Sequence, residues 1–123
     1  MKVPLLDLQA QFQVVGEDIR REISEVLESS QFINGPKVTG IEQAVRDYVG
    51  AGYGIGVSSG SDALLVALMA LDVAPGDLIL TTPYSFFATA GAVARLGAEP
   101  VFVDIESSTY NLCPAKLSDW LSE

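Results

Sequence analysis

The sequence contains no histidine. That absence excludes Ser-His and Cys-His catalytic arrangements and histidine-based metal sites. Cysteine occurs once, as Cys113, so no disulfide can close within the chain, and the expected setting is the cytoplasm. Cys113 reads as a structural thiol rather than a nucleophile. Basic residues are scarce: 7 Lys and Arg against 16 Asp and Glu give a net charge of −9. Nothing here can neutralise a run of phosphates, so nucleic acid is not an expected partner. Long apolar runs are also missing. The longest, "ALLVALMAL", is too short to cross a bilayer, so no membrane partner is expected. The first residues, "MKVPLLDLQAQF", hold one Lys and no long apolar core, and no signal peptide is expected there.

What remains is enough for one core. The chain has 123 residues, of which 49% are hydrophobic, which supports one domain and not two. In "VVGEDIRREISEVLESS", Ile19, Ile23, Val26 and Leu27 recur at helical spacing, which predicts a helix over roughly 17–29. "QFINGPKVTG" reads as a loop because Asn-Gly-Pro breaks regular structure. Val38, Ile41, Val45 and Tyr48 then form a second helical stripe, stopped by Gly50. From residue 53 the pattern alternates. Tyr53–Val57 reads as a strand, "DALLVALMAL" as a helix and "LILTT" as a strand. "PYSFFATAGAVARLGA" is a loop leading into a helix that ends at Gly97. "EPVFVDI" is a strand and "CPAKLSDWLSE" a last helix, with Pro114 suited to its first turn. Such alternation predicts an α/β fold with parallel strands covered on both faces. Residues 1–52 are then an N-terminal helical part and 53–123 the strand–helix part of a single partial domain.

In that frame "SSGS", residues 58–61, is a strand-to-helix turn at the carboxyl edge of a parallel sheet, where open α/β sheets bind ligands. A helix N-terminus offers unpaired N–H groups and partial positive charge. Gly60 admits a ligand close to the backbone, and Ser59 and Ser61 add hydroxyl donors, a combination suited to phosphate. Two considerations oppose this reading: Ser61 or Asp62 can serve as a plain helix cap, and Asp62 is an anion beside the proposed phosphate. The turn matches neither the Walker A pattern nor the dinucleotide glycine pattern.

A second signal is "TTPYSFFATAG", at the same edge of the sheet. Tyr84, Phe86 and Phe87 cannot all enter the core, and an aromatic face there can stack on a flat heterocycle. The plainer alternative puts two of them in the core and the third over the helix end. A flat ring carrying a phosphate satisfies both signals; pyridoxal phosphate is one such ligand and a nucleotide another. The other polar features are unremarkable. Asp104 and Glu106 lack a third ligand nearby in sequence and read as a solvated strand end, so no metal site is assigned. Trp120 reads as packing.

These stretches carry a resemblance. "SSGSDALLVALMAL", followed by "APGDLILTTPYSFFATAGAVARLGAEPVFVDI", resembles the sugar aminotransferases of the DegT/DnrJ/EryC1/StrS family, and "VPLLDL", "FINGPKVTGIEQAV" and "GIGVSSG" fit its start. The resemblance covers essentially the whole chain. It implies the N-terminal part of the large domain of an aspartate-aminotransferase-like, type I fold dependent on pyridoxal 5'-phosphate. It implies transfer of an amino group, usually from glutamate, to a nucleotide-linked keto sugar in cell-surface polysaccharide or amino-sugar biosynthesis. It assigns the cofactor phosphate to Gly60, Ser61 and Asp62, with Ser61 standing where Thr is usual, and ring stacking to Phe86. It places the loop of Phe32, Ile33, Asn34 and Gly35 near an active site, its own or that of the neighbouring subunit, with Asn34 and Gly35 at the substrate. A homodimer is implied.

One departure is large. The family's cofactor-bearing lysine and the acidic partner of the ring nitrogen lie downstream of the residues matched here. Lys2, Lys37 and Lys116 stand outside that lysine's context and read as solvated surface. No catalytic residue is therefore assigned, and these residues alone are expected to be inactive. The expectation is a chain that associates, is marginally stable, or is one piece of a longer protein. Three readings stand: an aminotransferase represented by its N-terminal part; a non-catalytic truncated paralogue that binds a phosphate ligand or partner subunit; and a Rossmann-type nucleotide module, disfavoured by the missing glycine fingerprint. Dehydratase relatives that carry His in place of the lysine also remain open at this point.

Overall fold

The computed structural model describes residues 5–122. The chain forms two compact units, Met1–Gly56 and Val57–Glu123.

The first unit carries α1 (Leu8–Ser29) and α2 (Pro36–Val49). α1 starts nine residues before the predicted position, because Asp7 caps it: its side chain accepts a hydrogen bond from the Ala10 N–H at 2.9 Å. Gly16 lies inside this helix, and the Phe12 ring packs over it, 3.0 Å from where a Cβ would stand. α2 starts at Pro36, inside the stretch read as a loop. Proline has no N–H to lose at a first helical position, so it begins this helix rather than breaking it. Gly50 closes α2 in the left-handed conformation at φ +69°, as its position in the sequence indicated.

The second unit carries α3 (Gly60–Ala70), β1 (Leu78–Thr81), α4 (Ala88–Arg95), β2 (Glu99–Phe102) and α5 (Pro114–Ser122). β1 and β2 pair in parallel, with Leu78 opposite Glu99 and Thr81 opposite Phe102. α4 is the crossover between them and packs on both strands and on α3. The core sits there: Ala92, Val93, Ala98 and Val103 are buried. After β2 the chain turns back, pairing Ile105 with Leu112 in an antiparallel bridge, and α5 follows with Pro114 in its first turn.

Two expectations about the sheet fail. Residues 53–57 form no strand, so the described sheet has two strands rather than three. A β-branched run becomes a strand only if a neighbouring strand takes its N–H and C=O groups, and no described strand does so; the Gly56 N–H donates instead to the Glu42 carboxylate at 2.7 Å. The strands are also not covered on both faces: Leu78 and Phe102 are exposed, and the residues between are half-buried, because among the described residues only α4 packs extensively on them.

Candidate functional site

The turn into α3 is built by side chains that consume some backbone donors and spare others. Ser59, not Ser61 or Asp62, is the N-cap: its hydroxyl accepts from the Asp62 N–H at 3.1 Å and its carbonyl from the Ala63 N–H at 2.9 Å. Such a cap contributes about 1 kcal/mol. The Gly60 and Ser61 N–H groups, first in the helix, have no partner among the described residues. A Cβ built on Gly60 meets no atom within 4 Å, so the turn is open on that side.

Asp62 is held away from idleness by its neighbours. Ser58 donates its hydroxyl to the carboxylate, and Arg95 Nη1 lies 3.7 Å from Asp62 Oδ1. The Ser58 hydrogen bond, followed by Ser59 and Arg95, pulls the Asp62 pKa below its ordinary value. The carboxylate therefore stays charged, with partners that offset it.

A cleft of about 570 Å³ runs beside this turn. Its wall includes Ser61, Phe86, Phe87, Gly91 and Arg95. Phe86 and Phe87 are 79% and 81% exposed, so neither enters the core. Tyr84 separates from them and stacks on Tyr110, ring centroids 5.5 Å apart. The cleft thus joins Ser61 and Phe86 on one wall, and Gly60 and Asp62 flank Ser61 in the same turn. Open N–H donors beside an exposed aromatic ring fit a phosphate carried on a flat ring. Sequence reasoning missed Ser59 as the cap, and it missed Arg95; the only signal for Arg95 was a cation in the last turn of a predicted helix.

Asn34 and Gly35 lie in the first unit. With Gln31, Phe32 and Ile33 they line a hollow of about 410 Å³. Asn34 adopts φ +49°, and Gly35, the N-cap of α2, runs so close to Gln31 that a Cβ would stand 2.5 Å from the Gln31 carbonyl oxygen. Glycine is required there by that approach.

The described lysines are engaged elsewhere. Lys37 pairs with Glu22 and with Glu25, and Lys116 with Asp104. These contacts raise both lysine pKa values and lower those of Glu22 and Asp104. Asp104 is therefore an ion-pair partner of α5, and no cluster of three or more metal-ligating side chains occurs among the described residues.

The fold is shared with part of the solved pyridoxal-phosphate-dependent aminotransferases. The solved structure of NtdA from Bacillus subtilis, with bound cofactor PMP, superposes with a TM-score of 0.90 at 35% identity, over 96% of this chain and 27% of that one. The chain belongs to the DegT/DnrJ/EryC1/StrS aminotransferase family, whose model matches residues 13–123. It is 46% identical to a pleiotropic regulatory protein of Geobacillus stearothermophilus, over 100% of this chain and 33% of the relative. It is 44% identical to a UDP-2-acetamido-2-deoxy-3-oxo-D-glucuronate aminotransferase of Pseudomonas aeruginosa, over 94% of this chain and 32% of the relative. The chain thus spans about a third of the length of the curated relatives it matches.

Proposed function

We propose that this chain is the part of a pyridoxal-phosphate-dependent sugar aminotransferase that seats the cofactor. The observation that carries the reading is the shared wall: Ser61, with its unpartnered N–H, and the exposed ring of Phe86 border one cleft. In this role the Gly60 and Ser61 N–H groups and the Ser61 hydroxyl hold the phosphate. Asp62 stays charged in the same turn, and Phe86 orients the ring by stacking. The bound cofactor would supply the electron sink for amino-group transfer. The substrate class is a nucleotide-linked keto sugar, supported by the Pseudomonas relative, with glutamate as donor and Asn34 and Gly35 at the sugar. The setting is cell-surface polysaccharide or amino-sugar biosynthesis by a cytoplasmic homodimer. No helix among the described residues is long and apolar enough to cross a membrane.

Moving a proton between carbons during the transfer takes a lysine at the reacting atoms. Lys37 and Lys116 are held in ion pairs, and Lys2 lies outside the described residues; on this reading the chain binds the cofactor without turning over. The same observation favours a second reading, a non-catalytic relative that keeps the phosphate cradle; the regulatory name of the Geobacillus relative is consistent with it.

The test uses pyridoxamine 5'-phosphate, which lacks the aldehyde and cannot form incidental imines with surface lysines. Fluorescence titration of the chain should show clear preference for it over pyridoxamine. A parallel assay with pyridoxal phosphate, glutamate and a UDP-linked 3-keto sugar should show no amino transfer. Equal affinity for the two vitamers would overturn the cradle, and turnover would overturn the assignment of no catalytic lysine.

A further inference from the structure

The inference drawn here rests on the phosphate reading above. Arg95 is the last residue of α4, and it borders the cleft that Ser61 and Phe86 border. Among the described residues of that wall it is the only cation. Its Nη1 faces Asp62 Oδ1 at 3.7 Å, while the Ser58 hydroxyl takes the other carboxylate oxygen, Oδ2. Each oxygen of Asp62 has its own neighbour.

Asp62 follows Ser61 directly, so its charge sits in the same helical turn as the open N–H groups. A carboxylate there interacts well with the helix dipole but repels any second anion brought to the same donors. The Arg95 side chain is 60% exposed and that of Asp62 37% exposed. A pair so hydrated adds little to folding stability. Its effect is on local charge instead. We propose that Arg95 is a positioning residue: it offsets the charge of Asp62, so that a phosphate meets the Gly60 and Ser61 N–H groups without an uncompensated carboxylate beside them.

The experiment compares pyridoxamine 5'-phosphate with pyridoxamine on the wild-type chain and on R95Q, R95K, D62N and R95Q/D62N. R95Q should weaken the phosphorylated ligand about two- to fivefold, the effect of losing one exposed charge pair, and leave pyridoxamine unchanged. R95K should recover most of the loss, because it restores the charge. In the D62N background R95Q should have no further effect, since Arg95 acts through Asp62. Wild-type affinity in R95Q overturns the inference. So does a loss that persists undiminished in R95Q/D62N, which would mean direct contact with the ligand, and so does a loss shared equally by both ligands, which would mean a structural role. A wild-type chain with no preference for the phosphorylated ligand overturns the cradle itself, and is told apart from these outcomes before any variant is measured.

Discussion

Gly60 is a glycine that its own backbone does not require. It is not among the glycines with positive φ, and a Cβ there would meet nothing within 4 Å. Any penalty for a side chain must therefore come from a ligand. Gly60→Ala should leave the thermal midpoint unchanged or raise stability by up to about 1 kcal/mol, because alanine is the better helix former. It should nevertheless weaken pyridoxamine 5'-phosphate about tenfold, as expected when a charged acceptor is pushed off its donors. Phe86 and Phe87 separate in the same titration. The Phe87 ring packs on its own helix, 3.2 Å from where a Cβ on Gly91 would stand. Phe86→Ala should cost about two- to tenfold in affinity, the range of an aromatic pair. Phe87→Ala should cost less. Loss of stability without loss of affinity in Gly60→Ala would count against the phosphate cradle.

At the scale of elements, local punctuation set the folding that could be read and missing partners set what could not. Gly97 ends α4 at φ +77°, with Pro75 Cγ 3.0 Å from its would-be Cβ. Gly97→Ala should destabilise the chain by about 1–2 kcal/mol for the left-handed backbone alone, with the proline contact adding to it. Gly40→Ala, in open space within α2, should be neutral or stabilising; urea midpoints of the two variants check the contrast. Gly50, Gly97 and Pro114 were legible because each acts on its immediate neighbours. The open turn at Ser61 and the exposed Phe86 were legible for the same reason: a small polar turn before an apolar helix, and more aromatics than one strand end can bury. The strand read at Tyr53–Val57 failed because pairing is not local. Side-chain type marks a segment as able to pair, but its partner lies elsewhere in sequence. The start of α1 was missed because residues 8–16 carry no charge pattern, and only the Asp7 cap, seen in three dimensions, fixes it. Arg95 was missed because its meaning depends on Asp62, thirty-three residues away, which it meets across the packing of α3 on α4.

Over the whole molecule, charge rather than core size governs the response to pH. Few side chains are buried, and the net charge is −9. The carboxylates of Glu22, Asp62 and Asp104 have pKa values below their ordinary ones. Lys37 acts on the first, the Ser58 hydroxyl on the second and Lys116 on the third. A lowered folded-state pKa gives stabilisation that is complete above the unfolded value of about 4 and is lost as pH falls through the folded value. Lys37 and Lys116 are shifted the other way, upward. Their stabilisation is complete below the unfolded value of about 10.4 and is lost as pH rises through the folded value. The stability curve should therefore be flat between about pH 5 and 9 and fall on both sides. Because every one of these pairs is exposed, molar salt should lower the plateau only slightly while flattening both flanks. Urea midpoints across that range, at low and at high salt, check it. A chain whose stability rises steadily from pH 7 down to pH 4 would show instead that repulsion among its excess acidic residues outweighs the pairs.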